Sequence, residues 1–566
     1  MEARRAWHCL AAAYSRRTMN SASLDSVGAK GMGSGRAAGS PALSFISRVK
    51  SEPGAQTLVL LLMSVALLPR LILLPLNENL YGDAVIRTEL AGRWAAHPIW
   101  IRSYADGAFQ FGPLHLYLVG IVLQIWPSQE HVGRLLSLIF AVLSIAPLFG
   151  LTQRLMGRRA AIWACLAFSV WGMHLQFSTT AGSEALALFL VLTSLYFFAA
   201  AMDEGRLRPL LYSALTLNLA CATRYDAWLL IPILSIALLF GDKDRVAAVT
   251  RAVFFALFCL PFPLLWMYGN ELAPATPGFE QGSAFSPILY IAEFHKSWVR
   301  DELGRWGQVG YRLQNLFFWP GAALVTLSPL VALFGMFGIA RAFRDRRDQR
   351  WMFWVACIPA AYFTFRSAIL LTFQPLARFT GSQIVLLLPY VYFGFSELLK
   401  SAGVFARRAI AALAIAIAIA EPIALGAFTF RSEGKIEDAL RPISPTSTNP
   451  EAVMRVARFV KEELLPHNAA IILDSDPEYS DIQIGFFGGL PEERMAKYRW
   501  DNCIGDGACF PDRLRSANPD YLIRIEGGKL GENPDFEVLD NRVRLGERWF
   551  EELPGFARPY HVYRRR

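Results

Sequence analysis

Long runs of apolar residues, separated by short polar segments, dominate the chain from residue 57 to about residue 428. A membrane-spanning helix needs about 20 mostly apolar residues, because the hydrocarbon core is about 30 Å thick. About eleven windows satisfy this requirement, so the pattern predicts a mainly α, polytopic membrane domain over residues 57–429. The windows lie near residues 57–76, 134–153, 160–178, 183–201, 209–224, 227–240, 248–268, 320–343, 352–372, 378–398 and 407–428.

Basic residues fall in every second connection between these windows. Arg158, Arg208, Arg245, Arg346 and Arg407 represent the basic connections, and the connections between them contain few Lys or Arg. Short loops rich in Lys and Arg stay on the cytoplasmic side of a membrane. We therefore expect the N-terminus to be cytoplasmic, and an odd number of spans places the C-terminal segment on the opposite side.

The segment 112–127 is apolar but does not fit this alternation. Counting it as a span would reverse the orientation of every later basic loop. The sequence therefore predicts a short interfacial or re-entrant helix whose two ends both lie outside the cytoplasm.

The two ends of the chain differ from the apolar middle. Residues 1–56 are rich in Ser, Gly, Ala and Arg, and we expect a disordered, basic cytoplasmic tail. Residues 430–566 are charged and contain many Pro and Gly residues, which predicts a soluble, extracytoplasmic α/β domain. Its expected helix covers 450–465, and its expected strands cover 469–473, 482–487, 521–525 and 561–563. A disulfide between Cys503 and Cys509 in this domain is left open.

Composition supports a membrane protein and excludes several other classes. Hydrophobic residues make up 54% of the chain and charged residues 18%, which excludes a disordered chain, and seven Cys in 566 residues are too few for a disulfide scaffold. The net charge of +9 is not a nucleic-acid signal. Residues 430–566 hold 20 basic and 24 acidic residues, so the remaining 36 basic and 23 acidic residues carry the whole excess in the tail and membrane part.

Three short motifs follow the first apolar window in a fixed order. Tyr81-Gly82-Asp83 comes directly after it, Phe111-Gly112-Pro113-Leu114-His115 begins the interfacial segment, and Gly133-Arg134-Leu135 opens the next window. Over residues 57–428 the chain resembles the C-type glycosyltransferases, in particular relatives of protein O-mannosyltransferases and lipid A aminoarabinose transferases. The resemblance implies a first external loop at 77–133 with two juxtamembrane helices, and a long external loop at 269–319.

Two positions depart from the pattern of that family. Asp83 is followed by Ala84, where many relatives have a second carboxylate, and Glu184 opens its span in place of the usual Asp. A role that needs two adjacent carboxylates is therefore in doubt.

The resemblance implies transfer of a sugar from a polyprenyl-phosphate donor to a hydroxyl of a lipid, glycan or protein, with inversion at the anomeric carbon. Such a reaction needs a base for the hydroxyl proton, and Asp83 is the expected catalytic base. Glu184 is the second expected catalytic carboxylate, which positions the acceptor or, with Asp83, helps to hold a divalent metal. A loop-capping role for Asp83 and a helix N-terminal charge at Glu184 are the structural alternatives. The expected location is the bacterial inner membrane.

The departing lipid phosphate is negatively charged and is stabilised by cations. The candidates for binding the donor phosphate are Arg224, Arg378, His295, Lys296 and Arg70. Interfacial snorkelling is the alternative for the arginines. The aromatic residues of the 269–319 loop are typical either of a lid over a sugar or of a membrane-interface belt.

Other functions have weaker support in the sequence. Gly488-Gly489 and Gly527-Gly528 lack the spacing of nucleotide-binding loops, and we find no basic, aromatic-interleaved patch for nucleic acid. A transporter or flippase of lipid-linked sugars is the main alternative, although the chain shows no clear internal repeat. A scaffold that binds partners through its external domain is a third class.

Overall fold

The computed structural model describes the membrane part and most of the C-terminal domain. The described residues are 54–75, 82–108, 111–241, 244–273, 296, 299–300, 303–373, 375–431, 450–474, 480–490, 495–497, 518–532 and 535–566. Residues 1–53 of the expected tail, His295, Cys503 and Cys509 lie outside these ranges, so the predictions made for them stay predictions.

The chain is mostly helical up to residue 431, which confirms the predicted fold class. The helices of the membrane part are α1 (Ala55–Leu73), α2 (Gly82–Ala96), α3 (Pro113–Ile125), α4 (Gln129–Leu143), α5 (Ile145–Met156), α6 (Arg158–Val170), α7 (Gly172–Phe177), α8 (Glu184–Glu204), α9 (Leu207–Cys221), α10 (Leu230–Gly241), α11 (Arg245–Cys259), α12 (Pro261–Leu272), α13 (Arg305–Leu316), α14 (Phe318–Thr326), α15 (Pro329–Asp345), α16 (Arg350–Thr364), α17 (Gly381–Ile384), α18 (Val391–Leu398) and α19 (Val404–Arg431).

Fewer continuous helices than the expected eleven are long enough to cross a membrane. Among the described residues, five helical stretches qualify by length and composition, and a sixth qualifies if the bent pair α11 and α12 counts as one span. The five stretches are Gln56–Leu73, Gln129–Met156, Glu184–Glu204, Arg347–Leu370 and Ala377–Leu398. Of the other predicted windows, 407–428 falls on α19, a continuous helix of 28 residues that contains Pro422. The remaining windows fall on helices that are shorter or interrupted.

Proline explains two of the interruptions. Pro261 starts α12 after a bend of 46°, since proline lacks the amide hydrogen that a continuous helix needs. Between α14 and α15, Ser328 has a φ of 72° and precedes Pro329, and the residue before a proline avoids helical geometry. A third interruption occurs at Trp171, whose ψ of 108° separates α6 from α7.

The first external loop contains two packed helices, α2 and α3. They approach closely because Gly120 has no side chain, and a Cβ atom there would lie 2.4 Å from the Trp94 ring. Helix α3 has 13 residues, shorter than a span, as the sequence predicts for this segment.

The C-terminal domain contains helices on a mixed seven-stranded sheet in the order β2-β1-β3-β7-β6-β5-β4. Strands β1, β2 and β3 are parallel, and the remaining pairs are antiparallel. The elements are α20 (Pro450–Phe459), β1 (Ile471–Leu473), α21 (Ser480–Gly488), β2 (Met495–Lys497), β3 (Tyr521–Ile525), β4 (Phe536–Leu539), β5 (Arg542–Leu545), β6 (Arg548–Glu552) and β7 (Tyr560–Arg565).

The predicted helix at 450–465 and three of the four predicted strands are confirmed in this domain. The prediction of a strand at 482–487 is wrong, because these residues form helix α21, which packs on α20. A short apolar run does not distinguish a strand from a buried helix by periodicity alone. Strands β2, β4, β5 and β6 were not predicted. Helix α21 also contacts α2, so the C-terminal domain meets the first external loop.

Candidate active site

Asp83 lies in the first turn of α2 and forms an ion pair with Arg378. The Arg378 Nη1 atom is 2.7 Å from Asp83 Oδ2, although the two residues are 295 positions apart in sequence. Arg378 lies in a single helical turn directly before α17. The Arg378 side chain is 15% exposed and the Asp83 side chain 21% exposed, so this ion pair is largely buried and has limited access to solvent.

Arg224 lies between α9 and a helical turn, where it bonds to two carboxylates. Its Nη1 atom is 3.0 Å from Glu184 Oε1, and its Nε atom is 3.0 Å from Asp226 Oδ1. Asp226 also accepts a hydrogen bond of 3.1 Å from the Ser382 hydroxyl. Glu184 opens α8, where the helix dipole favours a negative charge. Arg224 therefore fastens the ends of two membrane helices together.

Members of both ion-pair groups line one cavity, whose empty volume is about 460 Å³ including the part open to solvent. Its polar lining residues are His174, Glu184, Arg224, Asp226, Arg378 and Ser382. Asp83 is not a lining residue and is connected to the cavity through Arg378. Apolar residues complete the wall: Trp171, Met173, Phe177, Ala187, Leu188, Val191 and Ala227. A cavity lined by both charged and apolar side chains suits a ligand that has a polar head and a lipid tail.

The Phe379 ring lies beside both guanidinium groups. The Cζ atoms of Arg224 and Arg378 are 5.5 Å and 4.8 Å from its centroid. Aromatic faces attract cations at these distances, so Phe379 helps to fix the two arginines next to each other.

Two residues of the sequence motifs hold this arrangement in place. Arg134 donates to the carbonyl oxygens of Leu74 and Thr179, which ties the end of α1 to the segment before α8. A Cβ atom on Gly112 would lie 2.4 Å from the carbonyl oxygen of Ala222, so glycine permits α3 to contact the loop that carries Arg224. The motif residues therefore position the site without lining the cavity.

Burial raises the pKa of Asp83 from 3.8 to about 6, and the Arg87 guanidinium acts in the opposite direction. Arg87 follows Asp83 by one helical turn on α2 and stacks at 3.7 Å over the Phe111 ring. Burial lowers the pKa of Arg87 to about 10, so it remains a cation at neutral pH. A carboxylate whose pKa is near 6 is ionised at neutral pH and still accepts a proton effectively.

Two of the other predicted phosphate ligands, Arg70 and Lys296, do not line the cavity. Arg70 is fully buried in α1 behind His174, to which its Nη2 atom is hydrogen-bonded at 2.8 Å. Lys296 is exposed and is not a lining residue. Of the aromatic residues in the long external loop, Trp306 is exposed, whereas Trp319 is buried and donates to the Gln383 side chain at 3.3 Å.

The described part of the chain contains no group of side chains arranged as metal ligands. No group of three His, Cys, Asp or Glu side chains there is arranged to hold a metal ion. Asp83 and Glu184, the two carboxylates considered for this role, each bond to an arginine instead. The role of Asp83 and Glu184 in holding a divalent metal therefore stays a prediction.

Sequence reasoning missed four members of the site. Asp226 and Arg87 are near predicted residues in sequence, and their spacing from Arg224 and Asp83 is the signal that could have identified them. His174 and Ser382 carry no such signal, because only the folded chain brings them to the cavity.

Comparison with known proteins agrees with this fold. Residues 110–266 match the family model described as dolichyl-phosphate-mannose-protein mannosyltransferase. No curated protein matches the chain. ArnT from Cupriavidus metallidurans bound to undecaprenyl phosphate is similar, with a TM-score of 0.55 and 13% identity over 90% of this chain and 98% of that one. The Archaeoglobus fulgidus oligosaccharyltransferase tethered with an acceptor peptide is also similar, with a TM-score of 0.52 and 16% identity over 84% and 70% of the two chains.

These similarities confirm the predicted fold. The chain has the fold of the C-type integral-membrane glycosyltransferases, and the segment that matches their family model contains Glu184 and Arg224. Asp83 and Arg378 lie outside that segment, and the fold brings them to it.

Proposed function

We propose that this protein is an integral-membrane glycosyltransferase that moves a sugar from a polyprenyl-phosphate donor to an acceptor hydroxyl on the non-cytoplasmic face. The main support is the cavity, which is lined by Arg224 with its partners Glu184 and Asp226, by Arg378, whose partner is Asp83, and by apolar residues. The charged residues suit a sugar phosphate, and the apolar residues suit a polyprenyl chain. The neighbour ArnT is described with undecaprenyl phosphate, a lipid of this class.

The proposed reaction begins with an exchange of ion-pair partners. The donor phosphate bonds to Arg378 and Arg224, and Asp83 loses part of its contact with Arg378. An acceptor hydroxyl then takes that place beside Asp83 and donates its hydrogen bond to the carboxylate. In this way, donor binding prepares the base for the acceptor.

Bond making and bond breaking then follow in one displacement. The acceptor oxygen attacks the anomeric carbon from the face opposite the phosphate, while its proton passes to Asp83. The bond between the anomeric carbon and the phosphate oxygen breaks, and its electrons remain on the polyprenyl phosphate. The two arginines stabilise the charge that develops there. One displacement inverts the anomeric configuration.

Glu184 has a separate proposed role in holding the acceptor. Its Oε1 atom bonds to Arg224, while its buried Oε2 atom has no hydrogen-bond partner among the described residues. An acceptor hydroxyl or a hydroxyl of the donor sugar satisfies this oxygen. The proposed site thus has Asp83, which is paired with the lining residue Arg378, for the proton and Glu184, which lines the cavity, for orientation.

We propose that Asp83 and the C-terminal domain lie on the non-cytoplasmic side of the bacterial inner membrane, and the positive-inside pattern of the basic loops supports this orientation. The acceptor is a lipid, a glycan or a protein hydroxyl.

The test uses purified protein in liposomes, polyprenyl-phosphate sugars labelled at the anomeric carbon, and a membrane extract as the source of acceptor. We expect label in the acceptor and an inverted anomeric configuration by NMR. Protein-free liposomes are the control. Movement of the labelled lipid between leaflets without transfer to any acceptor would instead identify a flippase.

A further inference from the structure

Arg70 is a buried cation beside the site that lacks a carboxylate partner. Its side chain is 0% exposed within α1, and its Nη1 atom donates to the carbonyl oxygens of Ala66 at 2.6 Å and Ser169 at 3.3 Å. Among the described residues, no Asp or Glu forms an ion pair with it. Arg224 and Arg378, by contrast, are both paired with carboxylates.

An unpaired charge in a membrane-spanning helix is costly and usually has a function. The two arginines that line the cavity are already paired with carboxylates. Arg70 therefore supplies positive charge that the neighbouring residues do not neutralise. An anion bound in the cavity is the missing counter-charge.

The contact between Arg70 and His174 determines which ring nitrogen of His174 carries the proton. A guanidinium group only donates hydrogen bonds, so His174 Nδ1, at 2.8 Å from Arg70 Nη2, must accept one. A neutral imidazole that accepts at Nδ1 carries its hydrogen on Nε2.

His174 is placed to present this N–H group to the cavity. It is 3% exposed, it lines the cavity, and its Nε2 atom has no hydrogen-bond partner among the described residues. The ring is fixed by Trp171, which stacks at 5.6 Å, and by Phe168 at 4.3 Å. Because Arg70 occupies the Nδ1 edge, the Nε2 edge remains for a ligand.

We propose that His174 Nε2–H donates a hydrogen bond to a phosphate oxygen of the polyprenyl-phosphate donor. The positive charge of Arg70, which is bonded to the other ring nitrogen, strengthens this hydrogen bond. This inference rests on the proposed function and adds a ligand-binding residue to it. A phosphate fits better than a neutral sugar hydroxyl, because only an anion gains from the charge of Arg70. Arg70 thus assists phosphate binding through His174 and not by direct contact.

Two substitutions at His174 distinguish the roles of its two ring nitrogens. His174→Asn keeps an acceptor near the Nδ1 position for Arg70 but loses the donor at Nε2. His174→Gln places an amide N–H near the Nε2 position. Binding of undecaprenyl phosphate to the purified protein is compared with binding of undecaprenol, which has the same chain without phosphate.

We expect the Asn variant to bind undecaprenyl phosphate about tenfold or more weakly and the Gln variant to stay within about threefold of wild type, with undecaprenol binding unchanged in both. Arg70→Met should lower the same preference for phosphate. Thermal unfolding of each variant shows whether the fold is retained.

The outcomes distinguish this inference from the function on which it rests. If the wild-type protein shows no preference for undecaprenyl phosphate over undecaprenol, the proposed donor class fails. If wild type shows the preference and His174→Asn keeps it, only the role of His174 is overturned. An equal loss of both lipids in the Asn variant would mean a structural role and would also overturn it.

The tautomer has an independent test in the intact protein. NMR of protein labelled with ¹⁵N-histidine, with the His174→Gln spectrum as reference, should show an unprotonated Nδ1 and a protonated Nε2 for His174 at neutral pH. A protonated Nδ1 would contradict the inference whatever the lipid affinities are.

Discussion

The two arginines that face the cavity are held in different ways. Arg224 bonds to Glu184 and Asp226, and both carboxylates are at the ends of membrane helices. Arg378 bonds to Asp83, which belongs to a juxtamembrane helix of the first external loop. The first group therefore joins parts of the membrane core, whereas the second joins that core to a loop.

This difference suggests separate tasks for the two groups. In the proposed mechanism, Arg224 is the rigid anion site, because it is fixed by two carboxylates. Asp83 and Arg378 exchange partners in that mechanism when a donor phosphate and an acceptor hydroxyl bind, because their ion pair is a single contact. We therefore propose that proton transfer takes place at Asp83.

Loss of Arg224 should have the largest effect. Arg224→Gln leaves Glu184 and Asp226 buried without their common cation, which costs about 3 kcal/mol or more of folding stability as well as the anion site. We expect a clearly lower unfolding temperature and no detectable transfer. Arg206→Gln, whose side chain is 74% exposed, is the matched control and should change neither. Full activity of Arg224→Gln would contradict the anchoring role.

Loss of Arg378 should impair donor binding while the fold is retained. Arg378→Gln removes a cation from the phosphate site, so we expect the KM for the donor to rise by about 10- to 100-fold. Because the carboxylate of Asp83 also loses a positive partner, its pKa should rise further. The acid limb of the pH–rate profile should therefore move to higher pH. An unchanged acid limb would show that Arg378 does not act on Asp83.

A methyl group at Gly112 should have an intermediate effect. In Gly112→Ala the new Cβ atom meets the carbonyl oxygen of Ala222, so α3 must move away from the loop that holds Arg224. We expect about a tenfold loss of kcat/KM, since small displacements of a site reduce rates strongly. Gly310→Ala has no atom within 4 Å of the new Cβ and serves as the control. Equal activities of the two variants would rule out this close contact.

The smallest expected effect is that of mild acid on the wild-type protein. Burial raises the pKa of Asp83 to about 6, and only the ionised form accepts the proton. kcat/KM should fall to about half its plateau at pH 6 and about tenfold for each further pH unit below that. A flat profile down to pH 4.5 would contradict a base of this pKa.

The membrane fold and half of the site are predictable from the sequence for a physical reason. Apolar runs, basic loops and polar residues at helix ends all reflect the local cost of placing charge in a bilayer, so Asp83, Glu184, Arg224 and Arg378 stand out. Their pairing is not local. Nothing in the sequence indicates that Arg378 bonds to Asp83, because 295 positions separate them.

The sequence also misled on one membrane window and on Arg70, because non-local structure decides both. Windows such as 320–343 look continuous in hydropathy, whereas Ser328 and Pro329 divide them into two helices. Arg70 looks like a phosphate ligand at the outer end of a span, but the fold places His174 between it and the cavity. In both cases backbone geometry and tertiary packing, and not the residue type, decide the outcome.

The most direct test of the account compares Asp83→Asn with Asp106→Asn in single-turnover transfer, with donor binding measured on the same samples. Asp106 is in the same loop but accepts backbone hydrogen bonds from Arg102 and Ser103, whereas Asp83 is paired with Arg378, which lines the cavity. We predict that both variants bind the polyprenyl-phosphate donor, that Asp106→Asn transfers the sugar at the wild-type rate, and that Asp83→Asn is slower by a factor of about 10³. Transfer by Asp83→Asn at the wild-type rate would contradict the central claim that Asp83 is the base.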